Sequence, residues 1–236
     1  MVRSAQAASI TNRLLDRLVV RERNHMLARC EQVDLSLGQV LADPGGAIPD
    51  VYFPAGSYIS LLKPMDGKHI IEVALAGNEG FYGVPVALGV DVSPVHATVQ
   101  GAGPAWRMSA VAFRRELARS PAMRDSVDRY IHVLMTQLIR TSGCNRFHVV
   151  EKRVARWLLM TADRAHSTTF HITHEFLARM LGVRRVGITE AAGALQSRRL
   201  IGYTRGVLSI LDRKGLQTAS CSCYRADVAA YVAALG

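Results

Sequence analysis

The stretch HITHE at residues 171–175 sets His171, His174 and Glu175 within five residues, side-chain types that hold zinc or move protons. A zinc-hydrolase helix carries His-Glu-x-x-His, because two imidazoles one turn apart point the same way. Here His174-Glu175 is followed by Phe176, Leu177 and Ala178, so the second ligand is missing. His171 and His174 also bracket a predicted strand-to-helix corner, which aims them apart. Of the four cysteines, Cys221 and Cys223 form a Cys-x-Cys pair whose partners for zinc or an iron–sulfur cluster, Cys30 and Cys144, are remote. Without Cys-x2-Cys spacing the thiols read as small apolar or surface residues, and no metal site is expected. Four cysteines are too few for a disulfide framework. No nucleophile–base set converges in the sequence, so an enzyme is not expected either.

The abundant chemistry is cationic. The chain has 236 residues with 29 Lys plus Arg against 19 Asp plus Glu, a formal charge of +10. Residues 144–236 hold 14 basic and 6 acidic residues, whereas residues 1–143 hold 15 and 13. An anionic partner is expected for the C-terminal part, nucleic acid ahead of a membrane surface. The 49% hydrophobic and 20% charged composition is globular. The longest apolar runs, such as VAAYVAAL at 228–235, fall well short of the ~18 residues that a membrane span needs. The N-terminus lacks the apolar block of a secretory signal, so a cytoplasmic protein with no membrane partner is expected.

The elements around HITHE decide what it does. Thr173 is a natural N-cap, and Leu177, Ala178 and Leu181 supply the buried face of a short helix. Gly182 ends that helix, where a left-handed residue turns the chain. VRRVGITEAAGALQ then restarts a helix that buries Val183, Ile188, Ala192 and Leu195 and shows Arg184, Arg185, Thr189 and Gln196. Two such helices crossing steeply form a helix-turn-helix, whose second helix enters the major groove of DNA. SRRLIGYTRGVLSILD adds a basic helix end and two short strands around Thr204–Gly206, a β wing.

Upstream, residues 9–29 read as one or two short amphipathic helices with Ser9 as N-cap and Ile10, Leu14, Leu18, Met26 and Leu27 at helical spacing. From 32 to 110, short β-rich segments alternate with turn signals, and Asp66-Gly67 between two apolar runs marks a hairpin. Seven or more such strands predict an antiparallel sandwich, roll or barrel able to enclose a ligand. Ser120-Pro121 opens a long helix whose stripe is Met123, Val127, Ile131, Leu134 and Leu138, with Gly143 expected to end or bend it. The stripe serves either core packing or a coiled coil between subunits, and its near-heptad spacing favours the coiled coil. Val154, Trp157, Leu158 and Met160 mark a further amphipathic helix over 149–166. The fold class is thus α+β, with a β domain at 1–119, a long helix and hinge at 120–147, and a winged helix-turn-helix at 148–236.

This order resembles the Crp/Fnr family of bacterial transcription regulators along essentially the whole chain. ITHEFLARMLGVRRVGITEAAGALQSRRLIGYTRGVLSILD matches the spacing of that family's helix-turn-helix and wing, and GNEGFYGVPVALGVDVSPVHATVQG is similar to its cyclic-nucleotide-binding-like β-roll and short helix. The resemblance implies a jelly-roll-like N-terminal domain and a homodimer joined through the long helix. It further implies a two-fold symmetric operator in double-stranded DNA, with RNA polymerase as a further partner. Half-sites would lie about one helical turn, ~34 Å, apart. By position, Arg184, Arg185, Val186 and Glu190 fall where the family's recognition helix faces bases and nearby backbone, and Arg185 matches the family's guanine-reading arginine. Val186 and Glu190 stand where cyclic-AMP-responsive members carry a glutamate and an arginine, so a different operator is implied. Thr173, His174, Ser197 and Arg205 are placed for phosphates, with Thr189 also on the DNA-facing side.

For the switch, the positions matching the cyclic-nucleotide ligands are Gly83, Val84, Val95 and His96, and only the glycine is retained. A cyclic phosphate facing Val84 and Val95 would lose its charge partner, so cyclic AMP is not expected and no cofactor is identified. The effector is then an unknown small molecule or none. The alternative function, from a different class, is a small-molecule- or redox-sensing module whose basic C-terminal domain contacts protein or membrane.

Overall fold

The computed structural model describes residues 11–66 and 69–236, and the expected Ser9 cap lies outside them, as does Ile10. Two short helices follow, α1 (Arg13–Asp16) and α2 (Val20–Leu27). Asn12 caps α1: its buried side chain accepts from the N–H groups of Leu14 and Leu15 and donates to the carbonyls of Pro54 and Gly80, both at 2.8 Å. An unpaired buried amide would cost ~1–3 kcal/mol, so these bonds fasten the segment to the β domain.

Seven strands build that domain: β1 (Glu31–Leu35), β2 (Val40–Ala42), β3 (Asp50–Pro54), β4 (Tyr58–Pro64), β5 (Ile70–Ala76), β6 (His96–Gly101) and β7 (Gly103–Ser109). They form two antiparallel sheets, ordered β1-β7-β3 and β2-β6-β4-β5. β4 and β5 pair as the hairpin expected around Asp66, with Ser60 opposite Leu75. A short helix α3 (Val84–Ala87) precedes β6. The core centres on Phe53, Phe81 and Phe113, whose ring centroids lie 5.5–6.0 Å apart.

Helix α4 (Ala110–Arg119) leads into α5 (Pro121–Phe147). Ser120 caps α5 by accepting from the Met123 N–H at 3.1 Å, with Pro121 in the first turn. Tyr130 of α5 packs 5.4 Å from Phe81 and lies where a side chain at Gly80 would have to sit. Only glycine admits the helix this closely. The predicted apolar stripe divides between two environments, which removes Met123 and Val127 from the expected dimer seam. Met123 and Val127 are fully buried in the chain's own β core, and Ile131 packs against that core. Leu134 lines a cleft against the C-terminal half, and Leu138 is exposed beside Met135 and Ile139. The β domain covers the helix as far as Val133, between three and four turns, and the helix leaves it further on. Gly143 does not end α5, which runs on to Phe147. A helical glycine costs only ~1 kcal/mol.

The C-terminal half comprises α6 (Val150–Ala165), β8 (Thr169–His171), α7 (His174–Leu181), α8 (Arg185–Ser197), β9 (Ile201–Thr204), β10 (Val207–Ile210), α9 (Arg213–Ala219) and α10 (Ser222–Leu235). Its core gathers Leu158, Leu159, Leu177, Ile188, Leu195, Leu208 and Leu216. Leu62 of β4 is buried in this second core, and Arg164 of α6 pairs with Glu79 at 2.8 Å, so the two halves pack directly. α10 returns along α5, and its Asp227 accepts from both Arg140 of α5 and Arg156 of α6. Among the described residues no helix is long and apolar enough to cross a membrane.

Candidate nucleic-acid interface

Helices α7 and α8 are set at their angle by local chemistry that was legible in the sequence. Thr173 accepts from the Phe176 N–H at 3.1 Å. Gly182 adopts φ 60°, and the Val183 N–H bonds back to the Ala178 carbonyl at 3.0 Å, closing α7 and turning the chain. Leu177, Ala178, Ile188, Ala192 and Leu195 are buried between the helices and α6. The face of α8 opposite that seam is therefore determined, and it shows Arg184, Arg185, Val186, Thr189 and Glu190 to solvent. Val186 is 61% exposed on this face.

The wing is a three-stranded sheet, ordered β8-β10-β9. At its tip Arg205 holds φ 50° and Gly206 φ 82°, the turn that suits the twist of a two-residue hairpin. Left-handed backbone costs a residue with a side chain ~1–2 kcal/mol, so a cation is kept at the tip where Asn or Gly would be easier.

The structure separates the cations of this half into two groups. Arg156, Arg164, Arg198 and Arg213 are bound by Asp227, Glu79, Glu151 and Asp163. Arg153 donates to the Leu181 carbonyl, closing the end of α7. Arg146, Lys152, Arg179, Arg184, Arg185, Arg199, Arg205, Lys214 and Arg225 are exposed and make no ion pair among the described residues. Of these, Arg184 and Arg185 stand at the start of α8, Arg199 just after its end and Arg205 at the wing tip, while Arg179 is on α7. Arg179 and Arg199 were not singled out in the sequence, although Arg199 stands in the basic SRRL segment.

His174 has a different place from the one expected. Its ring stacks on Tyr203 at 4.6 Å and its Nδ1 lies 3.0 Å from the Thr189 hydroxyl, joining α7, α8 and β9. The Thr189 hydroxyl also lies 3.2 Å from the Arg185 carbonyl, so it links the imidazole to the α8 backbone. Burial, helped by the Arg185 charge, lowers the imidazole's pKa, so the ring is neutral at pH 7. A neutral, stacked histidine orients the motif and is a poor counter-ion for phosphate. His171 is exposed on β8. Thr173 is exposed but committed to its cap, and the Ser197 hydroxyl donates to the Ala194 carbonyl at 2.9 Å.

In the β domain Gly83 opens α3 with φ 121° and packs against Val51, reason enough for glycine without any ligand. Val84 packs on the β core. Val95 is half-buried. His96 is held by the Asp43 carboxylate at 2.6 Å, which would repel a phosphate arriving at that position. Burial pushes the Cys30 thiol up to about 12, so it carries no thiolate at neutral pH.

The other three cysteines are not scattered small residues. Cys144, Cys221 and Cys223 are buried together, and His148, not singled out in the sequence, joins them. The available signal was Cys144-x3-His148, one helical turn, facing the Cys-x-Cys pair 77 residues away. The hydrogen bond with Cys144 pulls the Cys221 thiol below the usual range.

Residues 152–219 match the Crp-like helix-turn-helix domain. No curated protein sequence matches the chain. Among solved structures, the chain is similar to a transcriptional regulator of the Crp/Fnr family from Eubacterium rectale, with TM-score 0.64 and 17% identity over 90% of this chain and 97% of that one. The c-di-GMP-responsive global regulator CLP of Xanthomonas campestris superposes with TM-score 0.66 and 14% identity, over 80% of this chain and 98% of that one. A CRP/FNR-family regulator from Thermus thermophilus gives TM-score 0.66 and 18% identity over the same 80% and 98%. Residues 152–219 thus match a Crp-like helix-turn-helix domain, and the chain as a whole has the fold seen in regulators of the Crp/Fnr family.

Proposed function

We propose that the chain is a homodimeric, sequence-specific DNA-binding transcription regulator that does not answer to cyclic AMP. The observation that carries this is the solvent-facing set Arg184, Arg185, Val186, Thr189 and Glu190 at the start of α8, with the unpaired Arg199 just after the helix and Arg205 at the wing tip. Arg185 suits the paired acceptors of guanine, Val186 a thymine methyl, and Glu190 the amino group of cytosine. Arg184 and Arg205 supply phosphate contacts that add affinity without sequence information. The second subunit would cover Met135, Leu138 and Ile139 of α5, which are 56%, 38% and 72% exposed. RNA polymerase would be the machinery met at the promoter.

The pairing of Asp43 with His96, and the apolar Val84 and Val95, speak against a cyclic phosphate as the signal. An effector, if used, is recognised by other chemistry.

Selection of binding sites from random duplex DNA by the purified chain tests the reading. A two-fold symmetric consensus with half-sites about one helical turn apart is expected, with binding that weakens steeply in salt, by about −0.9 in log–log slope per phosphate neutralised. Failure of the folded dimer to enrich any sequence, both alone and with cell extract added, would count against it and in favour of a sensing module that contacts protein or membrane.

A further inference from the structure

The cysteine–histidine cluster belongs to neither apolar core. Cys144 and His148 stand four residues apart at the end of α5, on one side of the helix, with His148 as its C-cap. Cys221 is the N-cap of α10 and Cys223 lies in its first turn. One donor atom from each of the four can be chosen so that all lie within 4.8 Å of one another. Cys144 Sγ is 3.6 Å from Cys221 Sγ, and Cys223 Sγ is 3.6 Å from His148 Nδ1. A tetrahedral ion with sulfur at ~2.3 Å and nitrogen at ~2.0 Å sets its ligand atoms about 3.5–3.8 Å apart. The side chains are already close to that spacing.

We propose that Cys144, His148, Cys221 and Cys223 form a closed tetrahedral site for a single borderline-soft divalent ion, with zinc the best match. Three thiolates and an imidazole are a donor set of structural zinc sites and leave no open position for a substrate. An iron–sulfur cluster fits less well, because ligands on different irons must stand farther apart than ligands on one ion. A disulfide fits less well too: the Cys144 and Cys221 sulfurs are well beyond the ~2.05 Å of a bond, and His148 would have no part in it. Three thiolates on a divalent cation leave one negative charge. Arg153 and Arg156, on the adjacent α6, stand near enough for their charges to feel Cys144 and Cys221.

The ligands come from the two elements that flank the winged helix-turn-helix. Cys144 and His148 precede α6, and Cys221 and Cys223 follow α9. An ion here closes the chain's C-terminal half into a loop and fixes it to the end of α5, at the junction where α5 passes to α6. It therefore sets how that half is carried on the long helix. This holds whether or not the chain binds DNA.

The test uses the full chain, purified under reducing conditions. About one zinc per chain is expected by elemental analysis after dialysis against a weak chelator. The protein stripped by a strong chelator should take up one equivalent of Co2+, with the intense d–d bands of tetrahedral cobalt and a thiolate charge-transfer band, both removed by Zn2+. Cys223→Ser should lower the Co2+ affinity at least ~10-fold, in line with loss of a ligand. His148→Cys should keep the one-to-one stoichiometry and shift the spectrum toward four sulfurs, a rescue that a merely structural histidine would not show. Circular dichroism checks that each variant is folded. A reduced, folded wild-type chain that takes up no Co2+, or takes it up with the weak bands of octahedral cobalt, overturns the proposal. So does equal Co2+ affinity in wild type and Cys223→Ser.

Discussion

The carboxylate of Glu72, on β5, accepts a 2.6 Å hydrogen bond from the indole N–H of Trp157, on α6, across the boundary between the β domain and the helix-turn-helix half. Its other oxygen accepts from Ser60 at 2.6 Å. Burial raises the Glu72 pKa to about 7, against the pull of these two bonds and of Arg164. The folded chain thus holds this proton more tightly than the unfolded chain does. The associated stability is present below the ordinary carboxylate range and is lost as pH rises through about 7. Glu72→Gln should flatten the fall in stability between pH 5 and pH 8, measured by urea unfolding. An unchanged pH dependence would show that the carboxyl is ionised throughout that range.

Arg185 and Arg205 should differ in kind. Arg185→Ala should relax base preference at one position per half-site, by ~1–3 kcal/mol. Arg205→Ala should weaken all sequences about equally and reduce the salt slope by about one. Binding titrations on the selected operator and on single-base variants, at several salt concentrations, separate the two. Equal losses across sequences for both substitutions would refute this division.

His174 should matter through geometry. Removing its stack on Tyr203 and its bond to Thr189 should cost ~1–2 kcal/mol of stability. His174→Ala should also lower DNA affinity, because Thr189 and the wing lose their common support. Since the ring is neutral at pH 7, the salt slope of binding should stay at its wild-type value. A slope reduced by about one would instead make His174 a phosphate contact.

The outward apolar residues of α5 should control assembly. Ile139→Asp should shift the chain toward monomers in sedimentation while leaving it folded, because Ile139 is exposed in the single chain. Val127→Asp should instead unfold the β domain, since Val127 is fully buried. A dimer that survives Ile139→Asp would place the subunit contact elsewhere.

Much of the fold was legible because its signals are local. Thr173 as a cap, Gly182 as a left-handed turn residue and the Ser120-Pro121 helix start each act within a few residues, and each stands where expected. The outward face of α8 followed from the inward one, because Leu195 and Ile188 can only point one way on a helix that packs through them. The wing followed from two short strands around Arg205-Gly206.

What the sequence alone could not determine depends on which distant residues meet. Periodicity showed that Met123, Val127 and Leu138 share a helix face, but only the packing of the β domain decides that Met123 and Val127 face inward and Leu138 outward. A histidine beside a DNA-binding motif reads as a phosphate ligand until Tyr203, 29 residues on, is seen stacked against it. The cysteines show the limit most clearly. Cys144 with His148 and Cys221 with Cys223 are each ordinary pairs in sequence. They become a four-donor cluster because α10 folds back along α5 and closes a gap of 77 residues to 3.6 Å.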